Sequence, residues 1–423
     1  MTTSRYLWPR IETHPPFKIS PWQRSITTCE RREATRPKRS FLYCVTVGKR
    51  EADLVDWTYA DDGCTILASD TDDVKQQAQV FANWCQRLGI DSVMAINSVA
   101  ILSALPHLSK HIRVISRCAN GFEEGYRVTL SARERLMAIV ALTPRLKNDL
   151  IEQYGVEAES IQLIPNGLNP EPFAAAASRV RALPETQPVQ LGFMGRLEHK
   201  QKGVLYLPEI VRSLKQKGVP FHLKIAGKGV HRAVLEEKLK PYINAGDVEL
   251  VGALDKSEVP AFLKATDIFL FTSHFEGCPN ALLEAMMAGC VPVALLIEGI
   301  TDFLIDHGRT GFVAPMADCQ LFAQYTAQLI EDRALLRRLS AATAGSARDR
   351  FTSKTAARRY AQLLHAVQQA PLLDFEPLPW SQFRVDPVYR KKLSGYLPKN
   401  VKNLIKSAMN KPPLASYLQR SSL

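Results

Sequence analysis

The sequence lacks the marks of a protein that spans a membrane, is secreted or depends on disulfides. None of its 423 residues lies in an uninterrupted apolar run of about 18, the length that a transmembrane helix needs. Residues 1–20 carry prolines and charges where a signal peptide has an apolar core. The eight cysteines form no CxxC pair and no zinc-like spacing with histidine. We therefore expect a cytoplasmic protein without structural zinc or disulfides.

The composition has more basic than acidic residues. The formal net charge of +12 attracts polyanions such as nucleic acid, anionic lipid headgroups and nucleotide diphosphates, without choosing among them. Hydrophobic residues make up 46% of the 423 positions, enough for two or three buried cores. We predict two domains and a C-terminal tail.

The first half begins with a basic segment and continues as alternating strands and helices. Residues 1–39 are polar and rich in proline, which predicts a poorly ordered arm. Short apolar runs then alternate with helix-length segments such as 73–88, which is typical of a doubly wound α/β domain, here residues 40–167. Residues 168–187 mix prolines, alanines and charges and are predicted to be a linker.

A short acidic motif in this half resembles a metal site. Asp70-Thr71-Asp72 has the DxD pattern with which one class of sugar-transfer enzymes binds a metal ion. It lies between a predicted strand and a predicted helix, where such side chains cap free backbone N–H groups, and no other carboxylate or histidine cluster accompanies it. We interpret the motif as a helix cap and expect no metal ion.

The second half, residues 188–350, is predicted to be another α/β domain. Its first strand, Val189–Met194, is followed by Gly195 and Arg196 and then by Lys202. Arginine offers a planar fork to phosphate oxygens and lysine a point charge, so this strand-to-helix turn suits a phosphate ligand. A solvated surface position is the alternative for any isolated cation, and it is our interpretation of Lys200.

The stretch FEGCPNALLEAMMAG, residues 275–289, carries two glutamates eight positions apart. An apolar strand precedes it, and a helix is predicted to begin just after Pro279, with Glu276 in the loop and Glu284 about one turn inside the helix. Loops at the carboxyl ends of parallel strands bind ligands, and the backbone N–H groups of residues 277–280 are predicted to face an anionic or sugar group. The alternative for Glu284 alone is a charge favoured by the helix dipole.

The C-terminal part is predicted to contain helices over residues 351–370 and a basic amphipathic tail over 371–423. Between residues 390 and 411, seven lysines and arginines alternate with apolar residues, and Pro398 interrupts the pattern. Attachment to an anionic membrane surface and packing of a solvated helix on the protein itself both fit this pattern. We expect no nucleic acid partner because no aromatic stacking platform accompanies the charge.

Four motifs follow one another in a characteristic order. They are VALTPRLKNDLIEQYG with IQLIPNGLNPEPF, FMGRLEHKQKG, LKIAGKG and FEGCPNALLEAMMAGCVPV, within roughly residues 138–350. The combination resembles family 4 of the glycosyltransferases, which are retaining enzymes of the GT-B fold. The resemblance implies two facing Rossmann-like domains with the donor cleft between them, a nucleotide-sugar held mainly by the second, and a helix that crosses back to the first.

The resemblance also implies roles for the residues that match the family's motifs. Arg196 and Lys202 are similar to the pair that grips the donor diphosphate and stabilises the leaving group without a metal ion. Glu276 resembles the glutamate that faces the transferred sugar, and Glu284 the one that accepts hydrogen bonds from the ribose hydroxyls. Residues 166–167 are implied at the interdomain hinge, and a purely structural turn is the alternative. The other implied donor-binding residues are Gly195, Gly227, Gly229, Gly277, Cys278, Pro279 and Asn280.

The first domain departs from the family pattern. Residues 46–50 follow the first strand with one glycine, where family members usually have a glycine-rich loop. Residues 114–121 contain no histidine, although family members usually carry one there that contacts the donor sugar. Arg117 and Asn120 are the candidates to take its place, and a reorganised acceptor side is the alternative.

Together these features predict a retaining, metal-independent glycosyltransferase without a cofactor, which moves a sugar from a nucleotide diphosphate-sugar to a hydroxyl acceptor. The expected acceptor is a glycan or a lipid-linked precursor in cell-surface glycan or glycolipid synthesis, and the expected location is the cytoplasm or the inner face of a membrane. Two alternatives stay open: a catalytically silent GT-B protein that binds or scaffolds at a membrane, and another GT-B enzyme such as a nucleotide-sugar epimerase or a phosphorylase.

Overall fold

The computed structural model describes residues 25–30, 40–48, 63–68, 73–96, 98–174 and 187–389, the first three ranges by backbone alone. Its strands form three sheets, two before the predicted linker and one after it. The predicted tail residues 390–411 lie outside the described residues, as do residues 70–72 of the DxD motif and residues 175–186 of the linker.

The first unit contains two sheets. Strands β1 (Ser25–Glu30), β2 (Ser40–Gly48) and β3 (Gly63–Ala68) form one, in which β1 is antiparallel to β2. Strands β4 (Ser92–Ala95), β5 (Arg113–Cys118), β6 (Leu136–Ala141) and β7 (Ile161–Leu163) form a parallel sheet. Its helices are α1 (Val74–Leu88), α2 (Val99–Ala104), α3 (Glu123–Thr129) and α4 (Pro144–Glu152). Strand β1 lies in the arm that was predicted to be poorly ordered. Local composition does not indicate this strand, because the strand depends on its pairing with β2.

Helix α1 shows how sequence sets an element here. Its N-cap residue Asp73 accepts a hydrogen bond from the backbone N–H of Lys75 at 2.9 Å, and Gly89 ends the helix at φ +62°. Phe81 and Trp84 lie on the buried face of the helix. The predicted helix 73–88 is confirmed, with Asp73 as its cap.

The second unit has one parallel sheet of six strands in the order β10-β9-β8-β11-β12-β13. The strands are β8 (Val189–Met194), β9 (Phe221–Ala226), β10 (Val248–Gly252), β11 (Ile268–Phe271), β12 (Val291–Leu295) and β13 (Phe312–Ala314). The helices are α5 (His199–Lys202), α6 (Leu207–Gln216), α7 (Arg232–Asn244), α8 (Val259–Lys264), α9 (Asn280–Met287), α10 (Thr301–Leu304), α11 (Cys319–Glu331) and α12 (Arg333–Arg350). The strand order reverses between β8 and β11, which is where open α/β sheets bind ligands.

One hydrophobic core runs through both units. Ile115 and Leu146 of the first unit belong to the same buried cluster as Phe269 and Met286 of the second. All four residues of β11 are buried, as expected for a central strand covered on both faces. The units are therefore joined by packed apolar side chains.

The chain returns to the first unit after α12. Helix α13 (Ser353–Gln369) begins beside Leu168, whose backbone pairs with Phe351 and Ser353. Arg113 of β5 donates to the carbonyl of Val367 at 2.9 Å. Residues 370–389 then lie against the first unit, where Trp380 stacks on His107 at a ring distance of 4.5 Å. None of the described helices combines the length and apolar composition that a bilayer-spanning helix needs.

Candidate active site

Three loops meet at one edge of the second sheet. They follow β8, β9 and β11, which are neighbours in the sheet and run parallel, so their carboxyl ends lie together. The first loop carries Arg196 and leads to Lys202, the second contains residues 227–229, and the third contains Glu276. The predicted cations and the predicted glutamate thus face the crevice at which the strand order reverses.

Lys202 and Glu276 form an ion pair in this crevice. The Lys202 Nζ lies 2.6 Å from Glu276 Oε1, and the two side chains are only 16% and 9% exposed. The hydroxyl of Ser273 donates to the same carboxylate oxygen at 2.9 Å. The backbone carbonyl of Lys202 accepts from the hydroxyl of Thr272 at 2.8 Å, which fixes the lysine against the loop after β11. Because both charges are largely buried, removal of either would leave the other uncompensated.

Arg196 lies at the open side of the same crevice. Its side chain is 61% exposed, and it contacts Glu198 at 3.8 Å. Its guanidinium also donates to the side-chain oxygen of Gln201. The partners of Arg196 come from its own loop, so its charge faces solvent at the rim while Lys202 lies deeper.

The glycines after β8 and β9 serve loop packing. A Cβ on Gly227 would lie 1.8 Å from the carbonyl oxygen of Gly195, and one on Gly229 would lie 2.4 Å from that of Leu197. Gly195 lies beside the aliphatic stem of Lys202, where a Cβ would have ordinary contacts at 3.6 Å. The sequence suggested that these glycines leave room for a nucleotide; in the structure, Gly227 and Gly229 make room for the neighbouring loop. Their contact with a donor stays a prediction.

The loop after β11 packs directly on the first unit. A Cβ on Gly277 would lie 2.0 Å from the carbonyl oxygen of Ala119, and one on Gly121 would lie 2.6 Å from that of Glu276. Thr143, fully buried before α4, donates its hydroxyl to the carbonyl of Gly277 at 3.1 Å. The sequence gave no sign of this role for Thr143, since the contact depends on how the two units dock.

Asn166 links the two units through side-chain amide hydrogen bonds. Its Nδ2 donates to the carbonyl of Cys278 at 3.1 Å and to the side-chain oxygen of Asn280 at 2.8 Å. Its side-chain oxygen accepts from Arg117 at 2.5 Å. Residues 166–167 were expected at a hinge and Arg117 in place of a histidine. The structure links Arg117 through Asn166 to Cys278 and Asn280.

Cys278 and Pro279 complete this loop. Burial raises the pKa of the Cys278 thiol to about 11, so the thiol is protonated at neutral pH and is a poor nucleophile. Pro279 is the residue before the first turn of α9 and has an extended backbone at φ −75°. The helix start after Pro279, predicted from sequence, is confirmed.

Glu284 lies inside α9, as its spacing predicted. Burial raises the pKa of its carboxyl to about 7, and the charge of Lys256 opposes the shift. The carboxyl therefore loses its proton close to neutral pH, far above its ordinary value of 4.5. An ionised Glu284 accepts hydrogen bonds from hydroxyl groups, whereas the protonated form accepts them less well.

We expect Glu284→Gln to stabilise the chain at alkaline pH. The folded chain keeps the Glu284 proton up to about pH 7 and the unfolded chain loses it near 4.5, so this group lowers the free energy of unfolding as the pH rises between those values. The full pKa shift of Glu284 corresponds to about 3 kcal/mol in the free energy of unfolding. Partial hydration of the side chain reduces the gain expected for Glu284→Gln to about 2 kcal/mol.

Denaturant unfolding at about pH 5 and about pH 8 measures this gain, which should be clearly larger at the higher pH. Glu237→Gln, on the exposed face of α7, is the matched control and should change little. A gain of equal size at both pH values would contradict the assignment.

The part of the chain that the structure describes contains no metal centre. Within these ranges, no three side chains of histidine, cysteine, aspartate or glutamate come close enough to hold an ion. The charges that meet in the crevice are the two cations and Glu276.

A protein-family model matches part of the second unit. Residues 188–332 match the family model described as "Glycosyl transferases group 1". The amylovoran biosynthesis glycosyltransferase AmsK of Erwinia amylovora is 33% identical over 220 residues, which are 50% of this chain and 52% of that protein. The putative colanic acid biosynthesis glycosyltransferase WcaL of Escherichia coli is 30% identical over 180 residues, 41% of this chain and 43% of that protein. The chain thus spans about half the length of the curated relatives it matches.

A solved structure resembles most of the chain in fold. HepE of Anabaena, in complex with UDP-glucose, superimposes with a TM-score of 0.59 at 19% identity, covering 71% of this chain and 86% of HepE. At this identity the likeness shows the fold alone, and it confirms the predicted GT-B architecture. Within this GT-B architecture, residues 188–332 of the second unit are similar to the group 1 glycosyl transferases.

Proposed function

We propose that the chain is a retaining, metal-independent glycosyltransferase of family 4 that takes its sugar from a nucleotide diphosphate-sugar. The observation that carries the proposal is the buried pair of Lys202 and Glu276 at the reversal of strand order, with Arg196 at the rim. The relatives named above are glycosyltransferases of polysaccharide biosynthesis, and the HepE structure contains UDP-glucose.

The two cations suit the departure of a nucleoside diphosphate. Negative charge grows on the leaving phosphate as the glycosidic bond breaks, and fixed cations stabilise it. A cation about 4 Å from a phosphate contributes on the order of 4 kcal/mol at an effective dielectric constant near 20, before the cost of desolvation. Lys202 is held by its turn and Arg196 is exposed, so a diphosphate in the crevice would engage both. These groups supply the charge that a metal ion provides in other enzymes.

The carboxylates suit the two hydroxyl-bearing ends of the donor. Glu276, next to the backbone of residues 119–121, would accept hydrogen bonds from the sugar where the acceptor approaches from the first unit. Glu284, inside α9, would accept them from the ribose. Donor binding would then be strongest above about pH 7, where Glu284 is ionised.

The decisive test is a binding and transfer experiment. We expect one of UDP, GDP, ADP or dTDP to raise the melting temperature of the full chain, since a ligand of the folded state stabilises it. The matching nucleotide-sugar should then be hydrolysed or transferred in excess EDTA, with the anomeric configuration retained by NMR. Loss of turnover in EDTA would contradict metal independence, and inversion would contradict the retaining mechanism. Binding of none of the four would favour a silent scaffold.

We propose that the acceptor is a hydroxyl of a glycan or lipid-linked precursor. We also propose that the basic tail contacts an anionic membrane. Residues 370–389 lie on the first unit, so the tail starts from the unit proposed to bind the acceptor. We expect the full chain, but not a chain shortened after Tyr389, to sediment with vesicles containing about 30% anionic lipid, because each basic residue near such a surface contributes about 1 kcal/mol. Equal sedimentation of both, or binding to neutral vesicles alone, would contradict this role.

A further inference from the structure

Three histidines from three different loops meet behind the crevice. His199 begins α5 after β8, His231 precedes α7 after β9, and His274 follows β11. The His199 ring lies 5.0 Å from that of His274 and 6.4 Å from that of His231, and Tyr206 lies 5.2 Å from His199. The same three loops carry Arg196, residues 227–229 and Glu276.

Two of the rings cap backbone N–H groups that the short helix leaves open. His231 Nδ1 accepts from the backbone N–H of His199, at the start of α5, at 3.2 Å. His199 Nδ1 accepts from the backbone N–H of Leu205, at the start of the next turn, at 3.3 Å. An imidazole nitrogen accepts a hydrogen bond only without a proton, so both contacts require neutral rings. Protonation would turn each acceptor into a donor that faces another donor.

His274 holds the same turn from the opposite side. Its backbone N–H donates to the carbonyl of Gln201 at 2.8 Å, and its Nδ1 lies 3.1 Å from the carbonyl of Lys200, which requires a proton on Nδ1. Its Nε2 lies 3.0 Å from the hydroxyl of Tyr206, which donates to it when the ring is neutral. The turn that bears Lys202 is thus bound to the loop that bears Glu276.

The helix that these rings hold has little stability of its own. Helix α5 is four residues long, and a single helical turn is unstable in water without outside contacts. Lys202 is its last residue, followed by Gly203 at φ +59°, so movement of the turn would move the ammonium group directly. The position of Lys202 relative to Glu276 therefore depends on the contacts that the histidines make.

We infer that His199, His231 and His274 are positioning residues that hold the turn from Arg196 to Lys202 in the geometry that binds a diphosphate, and that His199 and His231 do so only as neutral rings. The inference rests on the proposed function, because it takes a diphosphate as the ligand of that turn. It makes donor binding sensitive to acid through groups that need not touch the donor.

The surroundings of His199 favour its neutral form. Burial, and then the neighbouring His274 and His231, lower the pKa of His199 below its ordinary value of 6.5. The neutral form of His199 is thus favoured at neutral pH. The other titratable or charged groups around the rings are Tyr206, Glu209, Arg196, Glu198, Lys200, Lys202 and Glu276.

The test compares variants that remove the nitrogen with variants that keep an acceptor but cannot be protonated. His199→Ala should weaken UDP binding about fivefold to tenfold at pH 7.5, and His199→Asn, whose amide oxygen can accept from Leu205, should restore it to within about threefold. UDP affinity should fall between pH 7.5 and pH 5.5 in both proteins. The fold-loss should be about tenfold smaller in the His199→Asn/His231→Asn double variant than in the wild type. Calorimetry with UDP, or with whichever of the four diphosphates binds, measures both effects.

Controls separate the histidines from other groups. Glu284 titrates in the wild type and in the double variant alike, so the difference between the two reports the rings. His365→Asn, on the exposed face of α13, should behave as the wild type. Identical pH dependence in the wild type and the double variant, or unchanged binding by His199→Ala, would overturn the inference while leaving the proposed function intact.

A second measurement needs no nucleotide. A histidine held neutral in the folded chain takes up its proton on unfolding, so the wild type should lose stability as the pH falls below about 6.5. The double variant should lose less stability over the same range. Thermal unfolding at pH 7.5 and pH 5.5 measures both losses, and equal losses of stability would again overturn the inference. If no diphosphate binds at any pH, the proposed function fails and the positioning role fails with it.

Discussion

Replacing Lys202 by methionine is expected to lower the turnover of sugar transfer by about a hundredfold to a thousandfold, the usual loss when one charge-stabilising donor leaves an active site. Methionine keeps much of the volume of the lysine stem and removes only the charge. In the wild type that charge lies 2.6 Å from Glu276 in a largely buried crevice, deeper than Arg196 at the rim. The measurement is kcat with the nucleotide-sugar at saturation.

Lys200→Met provides the matched control for this prediction. Lys200 lies on the same helix two residues earlier, and its side chain is exposed. Its loss should change kcat less than about twofold, because an exposed cation is screened by water and salt. Thermal unfolding of both variants shows whether the Lys202 variant is still folded. A folded Lys202→Met enzyme with more than half of wild-type turnover would refute the assignment.

Replacing Gly277 by alanine is expected to cost about a hundredfold in kcat, because a displacement of about 1 Å at a reacting centre has that effect. The new Cβ would lie 2.0 Å from the carbonyl oxygen of Ala119 and 2.8 Å from its carbonyl carbon. Backbone atoms cannot rotate away as a side chain does, so the loop or the unit must move. Gly277 does not have positive φ, so the substitution tests space rather than backbone strain.

Gly345→Ala is the control for the loss of a glycine. Gly345 lies inside α12 and a Cβ there would meet nothing within 4 Å. Alanine is favoured in a helix interior, so this variant should gain about 1 kcal/mol in stability with unchanged turnover. For Gly277→Ala, UDP affinity should fall much less than kcat, because most proposed diphosphate contacts come from the loop after β8. If Gly277→Ala kept the wild-type kcat, the close approach of the loop after β11 to the backbone of Ala119 would not be needed for turnover.

The parts of the site that were predictable from sequence are those determined by one strand, one loop and one helix. The positions of Glu276 in the loop and of Glu284 inside α9 followed from an apolar strand and Pro279. Arg196 and Lys202 followed in the same way from β8 and the turn after it. Local pattern determines such units because strand, turn and helix each have their own residue preferences.

The parts that were missed depend on contacts between residues far apart in the chain. Thr143 contacts Gly277 and Asn166 contacts Asn280 only because the two units dock, and neither contact has a local pattern. The histidine cluster has the same origin, since each ring comes from a separate βα loop. The neutral-range pKa of Glu284 required its burial, which spacing alone does not give.

The hydrophobic core shared by both units limits how this protein can be recombined with its relatives. A chimera that exchanged the second sheet at residue 187 would cut through one apolar cluster, in which Leu146 belongs with Met286 and with Val367 of the returning helix α13. In such a chimera, the apolar side chains of each unit would pack against a unit from a different protein. Mismatched volumes in a buried core destabilise the fold. A change of donor specificity is therefore better sought by exchange of the loops after β8 and β9, which contribute no residue to that cluster.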